Sequence, residues 1–240
     1  MGGYLDILLF FAIYSFLGWL VESIYKSIME KRLINSGFLA GFFCPIYGFG
    51  ALIVLVSTNW INRFFTNNIV ALIVSMFFAI FLVTVLEYFT GYILEKSFNC
   101  KWWDYSNNFA NLHGYICLKN SLFWGGLAFF MLQIVHPLVA GLVLPLTLKV
   151  KEYAVIVLAI YFVIDTAKTL FDTLDLRRVI FRYSNISLND YKQKIIKYKR
   201  FFMAFPRLLL LNAGTLNRDV RSILNDKYNQ IKTEIKSKFR

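Results

Sequence analysis

Charged side chains are scarce in most of this chain. Residues 1–175 hold only 10 Lys and Arg and 10 acids, and charged residues make up 17% of the full 240 residues. An average soluble domain carries about 25%. Hydrophobic residues account for 58% of the chain and the mean hydropathy is +0.56. This composition excludes an ordinary soluble domain and predicts an all-α, polytopic integral membrane protein.

The sequence also lacks the short motifs of well-known catalytic and cofactor sites. It has no GxxxxGK[ST] run, so it binds no nucleotide through a P-loop, and it has no GxSxG motif, no HExxH motif and no CxxC pair. We therefore expect a protein that is not an enzyme and that needs no cofactor and no metal.

Five apolar runs are long enough to cross a membrane, whose ~30 Å hydrocarbon core needs about 20 helical residues. They cover residues 4–25, 39–58, 68–95, 120–146 and 153–174. The fourth run contains Pro137 and Pro145, and a proline removes a backbone donor, so this helix is predicted to be bent or broken. The pattern predicts a transmembrane domain at 1–175 and a tail at 176–240.

The distribution of basic residues predicts the orientation of the chain. Residues 176–240 hold 16 Lys and Arg against 4 acids, which accounts for the whole +12 net charge. Because Lys and Arg remain on the cytoplasmic side, we expect a multi-pass protein of the cell membrane with its N-terminus outside and its tail in the cytoplasm. Cys44, Cys100 and Cys117 then face a reducing compartment, where no disulfide is expected.

An internal repeat relates two parts of the transmembrane domain. Residues 16–44 align without a gap with residues 89–117, at an offset of 73, and 7 of the 29 positions are identical. The identical pairs are Phe16/Phe89, Gly18/Gly91, Glu22/Glu95, Asn35/Asn108, Leu39/Leu112, Gly41/Gly114 and Cys44/Cys117. Two units, about 5–66 and 78–140, are predicted to form helical hairpins of the same orientation, which is a parallel repeat about an axis along the membrane normal.

Several charged residues lie within the apolar spans, where each costs roughly 2.5 to 3.5 kcal/mol on insertion scales and usually faces the protein interior. They are Glu22, Glu87, Glu95, Asp165, Lys168 and Asp172. Two interpretations stay open. One is a structural seam of ion pairs, in which Lys168 neutralises a neighbouring carboxylate, and the other is a polar pathway for a substrate or an ion. The repeat counterpart of Glu87 is Tyr14, so this asymmetric acid is where we look first for function.

The loop after the third span is rich in aromatic and polar residues. Its candidate site residues are Trp102, Trp103, Asp104, Tyr105, Asn111 and His113. The aromatic residues fit an interfacial belt, but the loop could equally fold into the cytoplasmic mouth of the bundle and shape a site there. A metal site built from two cysteines, two carboxylates and His113 is conceivable, but the spacing is scattered, and cysteines that serve packing are the default interpretation.

The tail is basic and partly amphipathic. Apolar residues between Val220 and Phe239 recur at three- and four-residue spacing, with basic residues on the opposite face. This pattern predicts a helical tail that lies on anionic lipid headgroups. Docking onto a cytoplasmic partner is the alternative, and no nucleic acid is expected because no recognised binding motif accompanies the charge.

A set of motifs spread over the first three quarters of the chain carries a family resemblance. These motifs are Gly18, Trp19 and Glu22; Gly41, Cys44, Pro45, Tyr47, Gly48 and Gly50; Glu87, Tyr88, Thr90, Gly91, Leu94 and Glu95; residues 102–106; and Asn111, Gly114, Ile116, Cys117 and Leu118. Together they resemble the bacterial family of putative ABC-transporter type IV proteins, or CmpB-like permeases, over roughly residues 5–140. The resemblance implies a membrane permease that works with a separate ATPase subunit.

The chain departs from that family at two places. It has Ala40, Gly41 and Phe42 where the family often has Asn-Gly-Pro, and Tyr115 where the family often has Arg. The missing arginine weakens any anion-binding role near the acids.

These observations predict a permease-like component of a transporter. Its substrate or ion site is expected in the cytoplasmic half of the bundle, lined by Glu22, Glu87 and Glu95. The alternative function is a non-transporting scaffold or regulator that recruits a cytoplasmic partner through the basic tail.

Overall fold

A computed structural model describes residues 3–181, 198–205 and 208–210. The helices are α1 Tyr4–Glu30, α2 Pro45–Ile61, α3 Asn68–Phe98, α4 Leu118–Phe130, α5 His136–Val143, α6 Leu148–Phe181 and α7 Lys199–Ala204. A π-helical segment, Met131–Val135, joins α4 to α5, and two short strands, β1 Cys100–Lys101 and β2 Leu209–Leu210, pair antiparallel. The predicted amphipathic segment at 220–239 lies outside the described residues.

Helices dominate the described part of the chain, and the predicted polytopic architecture is confirmed. Four helical stretches are long and apolar enough to cross a membrane: Tyr4–Glu30, Asn68–Phe98, Leu118–Val143 and Leu148–Arg178. The remaining apolar helix, α2, has 17 residues, which is about 25 Å at 1.5 Å per residue. The apolar run that contains this helix starts at residue 39, whereas the helix itself begins at Pro45. Pro45 occupies the first helical position and residues before it form a loop, because proline suits a helix start.

The fourth span is not broken at Pro137. It passes through the π-helical segment Met131–Val135 and continues as α5 to Val143, two residues before Pro145. Pro137 has no N–H to offer the carbonyl one turn earlier, and a π-helical turn is one of the usual ways in which a helix accommodates such a defect.

The two ends of the bundle differ in structure. At one end, which we call the loop end, the loops at 31–44 and 99–117 meet the C-terminal half of α6. Phe38 of the first loop packs edge-on against Trp102 of the second, with 5.0 Å between ring centroids, and the Ala40 N–H donates to the Thr169 hydroxyl. The start of α1 and the start of α6 meet at the opposite end.

Both hairpins begin their second helix at the position that the repeat predicts to be equivalent. Cys44 precedes α2 and Cys117 precedes α4, and each is an N-cap residue with extended backbone. Both thiols are free and buried. The two-fold axis itself stays a prediction.

Candidate functional site

A cavity of about 620 Å³ lies at the loop end of the bundle. We call it the loop-end cavity. Its walls come from α1, α2 and α3, from the loops at 31–44 and 99–117, from Trp124 of α4, and from residues 204 and 205. Eight of the predicted site residues line it: Glu22, Cys44, Pro45, Tyr47, Glu87, Trp102, Trp103 and Tyr105.

Glu87 is the most deeply buried acid on these walls, with 3% of its surface exposed. The indole N–H of Trp124 donates to its Oε2 at 3.0 Å, and the Tyr105 hydroxyl also faces its carboxylate. The Tyr47 ring packs edge-on against Trp124, with 5.2 Å between centroids. In the part of the chain that the structure describes, no Lys, Arg or His forms an ion pair with Glu87.

A second cavity, of about 430 Å³, lies further from the loops. We call it the inner cavity. It shares four lining residues with the loop-end cavity, namely Ile46, Tyr47, Glu87 and Trp124. Its other walls are mostly apolar. Glu87 therefore lies where the two cavities meet.

Tyr14, the repeat counterpart of Glu87, also lines the inner cavity. The Tyr14 hydroxyl lies 2.8 Å from Nδ1 of His136. The His136 ring packs against Phe10, with 5.3 Å between the ring centroids. Tyr14 and Glu87, which the predicted repeat makes equivalent, thus both line the inner cavity with different polar groups.

Glu22 lines the loop-end cavity but is already paired. Lys26 Nζ lies 2.6 Å from its Oε1 and also donates to the Ala204 carbonyl at 2.5 Å. Its Oε2 lies 3.9 Å from the sulfur of Cys44. Burial, and then the nearby Glu22 carboxylate, raise the pKa of the Cys44 thiol well above its usual range, so this thiol stays uncharged.

Glu95 does not join the other two glutamates, which corrects the expectation of a single site lined by all three. It lines neither cavity, and it lies beside Tyr115, whose pKa is raised by burial and then by Glu95. The reason is helical geometry. Two helical turns separate Glu95 from Glu87, which displaces it along α3 by about 12 Å and rotates it by about 80°.

The polar stripe of α6 stabilises a loop and lines neither cavity. Asp165 is 7% exposed, and both of its carboxylate oxygens accept from the Gly41 N–H at 3.0 Å. The expected role of Lys168 was wrong: this side chain is exposed, and no ion pair joins it to Asp165 or Asp172 among the described residues. Burial lowers the pKa of Arg200, and the carboxylates of Asp165 and Asp172 oppose this effect by favouring its charged form.

The aromatic loop folds over the mouth of the loop-end cavity. Trp102 is 2% exposed, so it is a core residue and not part of an interfacial belt. Trp103 lines the cavity and its indole N–H donates to the Tyr115 carbonyl at 2.8 Å. Gly114 has a φ of +75°, and a Cβ there would lie 2.3 Å from Oδ1 of Asp104, so only glycine fits this turn.

The remaining polar residues of this loop hold its own backbone together on the exposed rim. Asp104 accepts from the Ser106 hydroxyl at 2.6 Å, and Asn111 donates to the Ser106 carbonyl at 2.9 Å. Nδ1 of His113 lies 3.2 Å from the Tyr88 hydroxyl. Within residues 3–181, 198–205 and 208–210, no three His, Cys, Asp or Glu side chains are grouped as metal ligands.

The start of the tail docks onto the loop end, which the sequence did not predict. Arg200 donates to the carbonyls of Gly37, Phe38 and Leu39, at 3.3, 2.8 and 2.7 Å. Ala204 and Phe205 line the loop-end cavity. This contact positions α7 across the cavity mouth.

An apolar cluster fixes the docked segment. Cys100, Trp102, Tyr198, Phe201 and Leu208 are all 5% exposed or less and pack together. The Tyr198 hydroxyl donates to Asp175. In the described part of the chain, α7 contacts residues that are distant in the sequence, and a six-residue helix leaves no clear periodic signal in the sequence.

Removing the docked segment should make Cys100 reactive. Burial raises its pKa to about 12, while Arg177 lowers it, and the thiolate is the reactive form. A chain that ends at residue 181, with Cys44 and Cys117 replaced by Ala, should label with maleimide at pH 8 at least about tenfold faster than its full-length counterpart. Stopped-time labelling and mass spectrometry measure the rate.

Two further chains control this experiment. Phe201→Asp in the full-length Cys100-only chain should raise the rate in the same direction, because it breaks the cluster without removing the tail. A Cys117-only chain should label at the same slow rate with and without the tail, since Cys117 lies outside the cluster. An unchanged Cys100 rate in the shortened chain would contradict the docking.

The fold and the cavities define a polytopic helical membrane protein with internal space at one end of the bundle. The chain belongs to the family described as putative ABC-transporter type IV, whose model matches residues 9–170. The match extends through most of α6, beyond the residues 5–140 that carry the resemblance in the sequence. No curated protein and no solved structure gives a significant match. Family membership and the apolar helices support a permease-like transporter component.

Proposed function

We propose that this chain is the permease subunit of a membrane transporter and that its substrate path passes Glu87. The observation that carries the proposal is the position of this carboxylate, 3% exposed at the junction of the two cavities. Burying an acid inside a membrane span is costly, and such residues mark substrate and ion pathways. Glu22 contributes to the same path from the mouth of the loop-end cavity.

The loop end is assigned to the cytoplasm in this proposal. Both long loops, the C-terminal half of α6 and the start of the basic tail lie there, and Arg177 donates to the Ser97 carbonyl at 3.0 Å. Lys and Arg concentrate on this side, as they do in cytoplasmic loops. A separate ATPase subunit would then approach this face, and the remaining tail would lie on anionic lipid.

The docked segment favours the permease over a scaffold that uses its tail to recruit a partner. Residues 198–205 and 208–210 bind the loops of their own chain. The first part of the tail is therefore engaged at the cavity mouth, where it belongs to the transport domain.

Replacing Glu87 with Gln should reduce flux at least about tenfold, which corresponds to a barrier higher by about 1.4 kcal/mol. Proteoliposomes that contain the purified chain are incubated with an extract of cellular small molecules, and accumulated compounds are identified by mass spectrometry against empty vesicles. Glutamine keeps the size of the side chain and removes its charge, so a loss of flux reports on the carboxylate.

Glu95→Gln is the matched control, because Glu95 lies on the same helix but lines neither cavity. It should retain the wild-type flux. If both variants transport equally well, Glu87 is not on the path. If no compound accumulates in wild-type vesicles, with or without a co-purified ATPase and ATP, the transporter proposal is wrong.

A further inference from the structure

Aromatic side chains form much of the wall of the loop-end cavity. Nine of its 20 lining residues are Phe, Tyr or Trp, and they come from α1, α2 and α4, from the loops at 31–44 and 99–117, and from Phe205, which follows α7. Tyr105 and Trp124 hydrogen-bond to the Glu87 carboxylate, and the Tyr47 ring packs edge-on against Trp124. Aromatic faces attract cations through the negative potential above the ring, most strongly for Trp.

The charges in this cavity do not cancel. Two acids, Glu22 and Glu87, and one base, Lys26, line it. Lys26 already has two partners: its Nζ lies 2.6 Å from Glu22 Oε1 and donates to the Ala204 carbonyl. Glu87 has hydrogen-bond donors but no ion-pair partner in the described part of the chain. One buried carboxylate is thus left for a ligand to neutralise.

The same residues disfavour other ligand classes. An anion would find one lysine, already paired, and would face two carboxylates. A bare metal ion needs several oxygen, nitrogen or sulfur ligands, whereas the polar groups shown at Glu87 are the Trp124 indole N–H and the Tyr105 hydroxyl, which donate hydrogen bonds to the carboxylate. The cavity, at about 620 Å³, falls within the 300–1,000 Å³ of sites for small organic molecules.

We propose that the loop-end cavity binds a monovalent organic cation with an apolar body, whose charge pairs with Glu87 beside Tyr105 and Trp124. This inference names a ligand class for the cavity of the proposed function, and it rests on that cavity being a substrate site. The apolar body of the ligand lies against the other aromatic residues of the cavity. Its positive charge provides the ion-pair partner that Glu87 does not have among the described residues.

Two probe ions of the same size and opposite charge test the proposal. Radiolabelled tetraphenylphosphonium and tetraphenylborate are each dialysed to equilibrium against the full-length protein in a neutral detergent. We expect saturable binding of the phosphonium, with one site per chain, and no saturable binding of the borate. Equal binding of both ions, or saturable binding of neither, would overturn the proposal. This comparison needs only the wild-type chain, so it stays decisive if a variant does not fold.

Variants then locate the site. Glu87→Gln should weaken phosphonium binding at least about tenfold, or about 1.4 kcal/mol, while Glu95→Gln should leave it unchanged. An equal effect of both substitutions would show that general charge and not this cavity holds the cation. If the chain binds the phosphonium but shows no flux in proteoliposomes, the transporter proposal is wrong and the cation-site proposal is retained. If it transports an uncharged compound but does not bind the phosphonium, only the cation-site proposal is wrong.

Discussion

Replacing Lys151 with Met should lower the free energy of unfolding of the bundle by about 3–5 kcal/mol. Lys151 and Asp6 are 9% and 5% exposed, and their charged atoms lie 2.6 Å apart. Lys151 also donates to the Leu144 carbonyl at 3.1 Å. Because the pair is buried where α1 and α6 meet, removing the lysine leaves the Asp6 carboxylate without compensation in a poorly solvated place.

The double variant Asp6→Asn, Lys151→Met is the matched control. Replacing both members of a buried pair by neutral groups is often close to neutral, so this chain should recover most of the lost stability. Unfolding in mixed micelles with increasing denaturing detergent, followed by tryptophan fluorescence, measures both changes. If the single and double variants are equally destabilised, the loss arises from packing of the lysine stem and not from the unpaired carboxylate.

Replacing Gly18 with Ala should separate α1 from α2 and cost about 1–3 kcal/mol, as overpacking of a tight contact does. A Cβ on Gly18 would lie 2.1 Å from Cγ and 2.4 Å from Cβ of Tyr47. The Tyr47 Cβ is fixed to the α2 backbone, so rotation of the ring cannot relieve the contact. Tyr47 lines both cavities, and we expect the same variant to disturb them.

Gly126→Ala provides the comparison for this prediction. Gly126 lies within α4, and a Cβ there would meet nothing within 4 Å. Alanine in an open helical position is favoured over glycine by roughly 0.5–1 kcal/mol, so this variant should melt at or slightly above the wild-type temperature. Thermal stability in detergent, measured by the remaining monodisperse fraction after heating, distinguishes the two. Equal melting of both variants would show that α1 and α2 can adjust without cost.

The hydrophobic pattern was enough to predict the membrane architecture, because a span needs a long apolar run and little else. The apolar run that contains α2 starts before the helix does, since residues 39–44 are apolar but belong to the returning loop. Hydrophobicity alone does not mark the helix start, which Cys44 and Pro45 set. The buried position of Glu87 could be predicted, because a charge within an apolar span usually faces the protein interior.

The partners of the site could not be read in the same way. Trp124 is 37 residues from Glu87 in the chain. The one signal in the sequence for this contact is the indole N–H, because a donor inside an apolar helix needs a partner. Arg200 is more distant still and binds backbone carbonyls, which carry no sequence signature. Contacts of this kind are decided by how the helices pack.

The π-helical turn at Met131–Val135 rotates the side chains of α5 about the helix axis relative to those of α4. Before the turn, Trp124 reaches Glu87, and after it, His136 reaches Tyr14. Glu87 and Tyr14 occupy equivalent positions in the predicted repeat. In a uniform α-helix, the rotation per residue would fix the angle about the helix axis between Trp124 and His136. The wider π-helical turn changes this angle. One span thereby supplies a hydrogen-bond partner to each of Glu87 and Tyr14, both of which line the inner cavity.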